Sequence, residues 1–436
     1  MNIKIIKGLA KAKQILDRRS TEFMGKPLEH SKNKTANKVS EQSVKRILED
    51  VRQFGDKAVY QYRSSLDGIS SQSLEIDRES ITRAYNQVDT VLVEALRLSA
   101  RRIEEYHQAT LPKSWFNNST GLGEQSIPLE RAGVYTPGGT ASYPSSVLMT
   151  AIPARIAGVK EIILCTPSAS PEVLVAAAIA NVDRVFNVGG AQAIGAMAYG
   201  TESIPKVDIV CGPGNMYVTL AKKLVFGDVG VDGLYGPTEM VLIADATADP
   251  IHCSADLLAQ AEHDPLASPI LVTNSSTLIE QVHIQLQRQI KTLERKEIVA
   301  SSLNQGGSLV LVENIAEAIE LANFIAPEHI CLLIDNPWSW VDKIRNAGGL
   351  FIGKYSPEVV GDYVAGPSHV MPTGGTARFS SALGVRQFLR TMPIINLGPN
   401  GFEEMVSTVS IIARSEGLTA HARAMEVRLK SKQICE

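Results

Sequence analysis

RAGVYTPGG, residues 131–139, is a largely apolar run that ends in one proline and two glycines. It reads as a strand entering a glycine-rich turn, and SSVLMTAIPARIAG (145–158) after it reads as a helix. The unit recurs. EIILCTP (161–167) precedes PEVLVAAAIANV (171–182), RVFNVGG (184–190) precedes AQAIGAMAYG (191–200), and DIVCGPGN (208–215) precedes MYVTLAKKLVFG (216–227). Strand, turn and helix in repeated alternation predict a parallel sheet covered by helices, an α/β fold. Such sheets take ligands at the carboxyl ends of their strands. Here those ends carry Tyr135, Gly138, Gly139, Gly189, Gly190, Gln192, Gly212, Gly214 and Asn215.

Working outward, a second α/β region follows. EMVLIADATADP (239–250) is a strand and turn, and Asp249 then caps a helix with Pro250 in its first turn. That helix runs to His263, and Pro265 marks its exit. SPILVTN, GSLVLV and HICLLID read as further strands, with IAEAIELANFI as a helix between two of them. Upstream, residues 1–25 read as one basic helical segment with too little apolar surface to fold alone. Ser40 is expected to cap EQSVKRILEDVRQF, with Gly55 ending it, and residues 79–108 read as two helices. After residue 384 the chain reads as a helical tail too small for its own core, so it is expected to pack on another domain or subunit.

The totals bound the function. The chain has 436 residues, 44% hydrophobic and 20% charged, with net charge −3 and no block of like charge. That gives no footprint for nucleic acid and no polybasic arm for a membrane. No apolar run approaches the ~20 residues that span a bilayer, and the N-terminus lacks the continuous apolar core of a signal peptide. The five cysteines are dispersed, with no C-x-x-C pair, which fits a reducing compartment and argues against disulfides or a thiolate metal cage. Cys165, Cys211 and Cys331 sit in apolar runs and are expected to be buried.

Four places hold chemistry-bearing side chains. In LLAQAEHDP, Gln260 and His263 stand one helical turn apart and point the same way. Imidazole is a common zinc ligand and a carboxamide a rarer one, so spacing alone also allows an ordinary polar helix face. In APEHICLLI, Glu328 and His329 at the mouth of a strand are the parts of a proton-transfer site, or of a solvated loop. In VVGDYVAGPSHVMPTGG (359–375), Asp362 and His369 lie in a glycine- and proline-punctuated loop of a kind that often carries function. In the tail, Glu416 and His421 flank Gly417. A zinc site of two nitrogens and two oxygens is available among these residues, but their spacing does not choose which. There is no G-x-G-x-x-G, only VGGAQA and CGPGN, so an NAD site is one possibility among several.

From about residue 40 to about 430 the sequence resembles the histidinol dehydrogenase family. GVYTPGG, YPSSVLM, GGAQAI, YGTESIPKVD, GPGN, QAEHD, APEH, GDYVAGPSH and EGLTAH carry the resemblance, in the family's order. It implies oxidation of L-histidinol to L-histidine through L-histidinal, the last step of histidine biosynthesis, consuming two NAD⁺. It implies one zinc per subunit on Gln260, His263, Asp362 and His421, holding the substrate's imidazole and amino group. It implies Glu328 and His329 as the acid/base pair, with His329 also at the substrate. Thr238, His369 and Glu416 match further substrate contacts, as the four zinc ligands do, and Tyr135, Gln192 and Asn215 match nucleotide contacts. The implied fold is two incomplete Rossmann-like domains with helical terminal segments, assembled as an intertwined homodimer in the cytoplasm. The domains expected are residues 1–25, then 26–130 with 240–383 on the metal and acid/base side, then 131–239 on the nucleotide side. The tail, 384–436, would bring Glu416 and His421 to the partner's site.

Three positions depart from the family's habit. Thr238 stands where serine is common and keeps the hydroxyl, Thr140 replaces a frequent basic residue, and Ser368 replaces a frequent asparagine. None removes a ligand or the acid/base pair. The rivals are a relative oxidising another small alcohol, a zinc hydrolase using Glu328 to activate water, and a non-catalytic scaffold. His369, Glu416 and His421 together speak against the first, and the complete acid/base pair against the last.

Overall fold

Strand β1 (Lys4–Lys7) and helix α1 (Leu9–Ile15) open the computed structural model, which describes residues 3–17, 34–68, 73–138 and 142–432. Helices α2 (Lys34–Phe54) and α3 (Asp56–Asp67) follow, then strand β2 (Glu75–Ile76) and helices α4 (Arg78–Tyr85) and α5 (Thr90–Ala109). Strands β3 (Trp115–Asn117) and β4 (Leu122–Pro128) form a hairpin. The repeating units come next: β5 (Arg131–Tyr135) with α6 (Pro144–Ala157), β6 (Glu161–Cys165) with α7 (Pro171–Ile179), β7 (Arg184–Phe186) with α8 (Gly190–Tyr199), and β8 (Ile209–Cys211) with α9 (Met216–Val225). Strand β9 (Gly230–Val231) closes that series. The second series is β10 (Glu239–Ala244), α10 (Pro250–Glu262), β11 (Ser268–Thr273), α11 (Ser276–Gln289), α12 (Lys296–Gln305), β12 (Ser308–Leu311), α13 (Ile315–Ile325), β13 (His329–Leu333), β14 (Gly349–Ile352) and α14 (Val359–Tyr363). Strand β15 (Leu389–Ile395) and helices α15 (Pro399–Ser415) and α16 (Thr419–Lys432) end the chain.

Two six-stranded sheets result. One runs β2-β7-β6-β5-β8-β9 and the other β1-β12-β11-β10-β13-β14. Numbered within its own series, each reads 3-2-1-4-5, the doubly wound order without its sixth strand. In place of a sixth, each carries a borrowed strand at the opposite edge, β2 antiparallel to β7 and β1 parallel to β12. Every residue of the central strand β10 is buried, as expected for a parallel strand with helices on both faces. Helices α6, α7 and α8 are buried on nearly all sides, because α2, α4 and α5 lie over them as an outer layer.

The chain forms two compact units. One comprises Met1–Thr110 and Leu129–Phe388 and contains both six-stranded sheets. The other comprises Leu111–Pro128 and Leu389–Glu436. It holds a three-stranded sheet, β15-β4-β3, and the helix pair α15–α16.

Four sequence expectations are corrected. The segment 1–25 is not one helix: Lys4–Lys7 is a strand, whose buried Ile6 joins the core beneath α13. The described helices within residues 26–130 belong with the sheet centred on β5, expected to take the nucleotide, not with the one centred on β10. Val44, Leu48 and Val51 of α2 share a core with Phe186 and Ile194. The tail is not wholly helical, since β15 pairs in antiparallel register with β4, Leu389 opposite Pro128 and Ile395 opposite Leu122. Pro393 disguises that strand in the sequence; a proline is tolerated there because β15 is a sheet edge. Finally, α2 begins before Ser40, which is therefore no cap. By contrast, Gly55 ends α2 as expected, Asp249 accepts from the Ile251 N–H at 2.8 Å, and residues 79–108 divide at Asp89.

Cys165, Cys211, Cys253 and Cys331 are free and buried, and no described helix is long and apolar enough to cross a membrane. His107 of α5 is also buried, with neither ring nitrogen hydrogen-bonded to protein. Burial pushes it down to about 4. The unfolded chain therefore binds a proton that the folded chain refuses. The stability this group contributes is complete above about pH 6.5 and is lost as pH falls toward about 4. Replacing it by His107→Leu is expected to flatten the acid limb of the stability curve by about 2–3 kcal/mol. Urea unfolding at about pH 7 and about pH 4.5 checks this, with the gap between the proteins widening only at the lower pH.

Candidate active site

In a parallel sheet each crossover helix runs back against its strands. The C-terminal end of α10 therefore returns to the amino ends of β10 and β13, which pair Met240 with His329. Gln260 sits in the last turn of α10, and His263 is its helical C-cap residue. Thr238 precedes β10, Glu328 precedes β13, and His329 opens it. This cluster thus occupies the amino edge of its sheet. The expected nucleotide residues occupy the carboxyl edge of the other: Tyr135 ends β5, Gly189 and Gly190 follow β7, and Gly212 follows β8.

Glu328 and His329, the expected acid/base pair, are buried and hydrogen-bonded. Thr238 Oγ1 lies 2.5 Å from Glu328 Oε2, which also accepts from the Glu239 N–H at 3.2 Å. The threonine hydroxyl thus engages the acid directly. Burial raises the proton affinity of Glu328, partly opposed by His329 and Thr238. His329 Nδ1 lies 2.9 Å from Glu358 Oε2, and its ring meets Phe351 edge-on at 5.5 Å. Burial alone would lower the His329 proton affinity, but the Glu328 and Glu358 carboxylates more than reverse that. A carboxylate at Nδ1 fixes the tautomer and leaves Nε2 as the proton acceptor.

Glu358 is the residue the sequence reading missed. It is fully buried and precedes α14, one turn before Asp362. The i,i+4 pair of acids in EVVGD was its only sequence signal. Gly361 between them lets α14 lie against Phe351, since a Cβ there would come within 2.7 Å of that ring.

Among the described residues, one group of three metal-ligating side chains has its ligand atoms within 4.8 Å of one another: His263, Glu358 and Asp362. His263 Nε2 is 3.5 Å from Asp362 Oδ2, and that buried oxygen has no hydrogen-bond partner. One terminal atom of the Gln260 carboxamide lies 2.7 Å from both Glu358 oxygens, and the other 2.7 Å from Thr238 Oγ1. With nitrogen toward Glu358, the amide donates to the carboxylate. With oxygen toward Glu358, acceptors face one another, and a cation between them resolves the conflict. Burial, then Glu358, pushes Asp256, one turn earlier on α10, up to about 6. An excess of carboxylate, an orphaned oxygen and an adjacent imidazole together fit a divalent cation with N/O preference.

His369 is locked. Its Nδ1 lies 2.8 Å from the Asp362 carbonyl, which can only accept, so Nδ1 carries the proton and Nε2 takes the Ser146 hydroxyl at 3.1 Å. Ser368 beside it is buried and accepts from the Val370 N–H. At the edge expected to take the nucleotide, the Gly190 N–H donates to the Tyr135 hydroxyl at 3.1 Å. Gln192 is buried in the first turn of α8, and Asn215 caps α9, accepting from the Tyr217 and Val218 N–H groups. Gly139 and Thr140 lie outside the described residues. Glu416 and His421 belong to the smaller unit and are exposed there, His421 in the first turn of α16.

Comparison with known proteins bears on this arrangement. The family model described as histidinol dehydrogenase matches residues 30–429. The histidinol dehydrogenase of Bacillus subtilis is 47% identical over 394 residues, covering 88% of this chain and 92% of the relative. That of Prochlorococcus marinus is 46% identical over 394 residues, 88% of this chain and 90% of the relative. The crystal structure of histidinol dehydrogenase from Elizabethkingia anophelis aligns with a TM-score of 0.91 at 33% identity, covering 99% of both chains. With the family model, the curated relatives and the solved structure all agreeing over nearly the whole length, this chain belongs to the histidinol dehydrogenase family of oxidoreductases.

Proposed function

We propose that this protein oxidises L-histidinol to L-histidine through L-histidinal, with two NAD⁺ reduced and one zinc held per subunit, as the last step of histidine biosynthesis. The observation that carries the reading is the position of Glu358. Its carboxylate holds the His329 ring and lies in the same cluster as His263 and Asp362, so the base and the cation site are built as one piece.

His329 accepts the hydroxyl proton of the alcohol as hydride leaves its carbon for the nicotinamide, giving the aldehyde. Glu328, made more basic by burial, takes a proton from water as the oxygen adds to the aldehyde carbon, while the His329 imidazolium returns its proton to the former carbonyl oxygen, giving the hydrate and a neutral imidazole. His329 then accepts a hydroxyl proton of the hydrate as a second hydride leaves, giving the acid. Glu358 stabilises the imidazolium formed in each oxidation. Gln260, His263 and Asp362, with His421 of the partner subunit, would hold the zinc, which when bound orients the substrate's imidazole and amino nitrogens. Thr238, His369 and the partner subunit's Glu416 contact the substrate, and Tyr135, Gln192 and Asn215 contact the dinucleotide. The homodimer shares its sites and works in the cytoplasm, a setting that fits the unpaired cysteines. No membrane or nucleic-acid partner is involved.

Purified protein is expected to form two NADH per histidinol consumed, none from simple polyols, and none after chelation until zinc is restored. Absence of NADH with histidinol and zinc present would exclude the reading. The shared site has its own test. If each tail completes the partner's site, mixing His421→Ala with His329→Ala protein leaves one intact site in each mixed dimer. Random exchange then restores about a quarter of wild-type activity. No recovery after verified subunit exchange would place each tail at its own site.

A further inference from the structure

Beneath the nucleotide-side turn lies an ion pair outside the chemistry above. Lys222 of α9 and Asp232 after β9 have side chains 2% and 0% exposed, with Nζ 2.5 Å from Oδ1. Both ions take hold of one residue. Lys222 Nζ donates to the Gly212 carbonyl at 2.9 Å, and the Gly212 N–H donates to Asp232 Oδ2 at 2.8 Å. The Gly233 N–H donates to Asp232 Oδ1, and the ammonium lies 4.7 Å from the Tyr235 ring centre. Gly212 directly follows β8 beside the end of β5, where the sheet order reverses, the crevice in which open α/β sheets bind ligands. Three residues on, Asn215 caps α9.

A buried ion pair is a poor source of stability, since an apolar pair of similar volume often serves as well. What an apolar pair cannot do is bond both the N–H and the C=O of a glycine at positive φ. We infer that Lys222 and Asp232 are positioning residues that hold the 212–215 turn in its dinucleotide-binding shape. This rests on the reading that this edge takes NAD⁺. Preorganisation of the turn spares the dinucleotide the work of ordering it.

The test separates fold from function. Lys222→Met and Asp232→Leu each strand a buried charge and lower Tm, whereas the double variant Lys222→Met/Asp232→Leu is expected to regain most of the loss. It should nonetheless bind NAD⁺ about tenfold more weakly by calorimetry, with zinc content and histidinol KM unchanged. Recovery of both Tm and NAD⁺ affinity in the double variant would reduce the pair to a structural role and overturn the inference. Hydrogen exchange on the wild-type protein without NAD⁺ serves if the double variant does not fold. The Gly212 amide should exchange slowly, and free exchange would equally overturn the inference. Failure of the wild-type protein itself to bind NAD⁺ would instead strike the nucleotide reading, and the inference with it.

Discussion

Glu358→Gln protein is expected to fold normally and to oxidise histidinol about 10²- to 10⁴-fold more slowly than wild type. The substitution keeps shape and volume but removes the charge facing His329 Nδ1 at 2.9 Å in a fully buried setting. Either orientation of the new amide fails. A carboxamide presenting its NH₂ to the ring forces the proton onto Nε2, where the base is needed, and one presenting its oxygen no longer stabilises the imidazolium that forms as hydride leaves. Steady-state NADH formation measures the loss, and thermal unfolding shows that the fold survives. Zinc content of the same variant separates the two roles of Glu358. Full occupancy with low turnover means that Glu358 acts on His329, and loss of zinc means that it also holds the cation. An unchanged rate would remove Glu358 from the site.

The second large effect is structural. Gly212→Ala should destabilise the protein by about 3 kcal/mol or more, because the new Cβ would stand 2.1 Å from the Tyr135 carbonyl oxygen. That oxygen belongs to the backbone of β5, so relief requires the central seam of the sheet to open. The residue also has φ +110, outside the range of L side chains. Gly227 separates the two causes, since its φ is +106 and nothing lies within 4 Å of its Cβ position. Gly227→Ala thus carries the conformational cost alone, about 1–2 kcal/mol. Denaturant unfolding of both variants checks the difference, and equal losses would show that β5 yields without cost.

What the sequence disclosed divides by range. The alternation from RAGVYTPGG to DIVCGPGN announced one sheet because each unit is local, and Asp249 with Pro250 set the phase of α10 well enough to place Gln260 and His263 on one face. The family motifs supplied Asp362, Glu328 and His329, which the folded chain gathers with His263 around the amino edge of β10 and β13. What stayed hidden depends on distant partners. KIIK is a strand only because β12 lies beside it, and LRTMPII only because β4 does. Glu358 gave no signal beyond its i,i+4 spacing from Asp362, since its role needs a histidine 29 residues away. Nothing in the sequence marked the Lys222–Asp232 pair, because its burial is created by the fold.

The four buried thiols have a practical consequence. Cys165 and Cys211 lie in the sheet centred on β5, while Cys253 of α10 and Cys331 of β13 share the core of the other. A thiol-reactive dye added to the native enzyme, with the tail Cys435 replaced by serine, would label neither pair until the corresponding lobe breathes open. Mapping which pair reacts first would turn these inert residues into clocks, timing each sheet's opening without a single introduced probe.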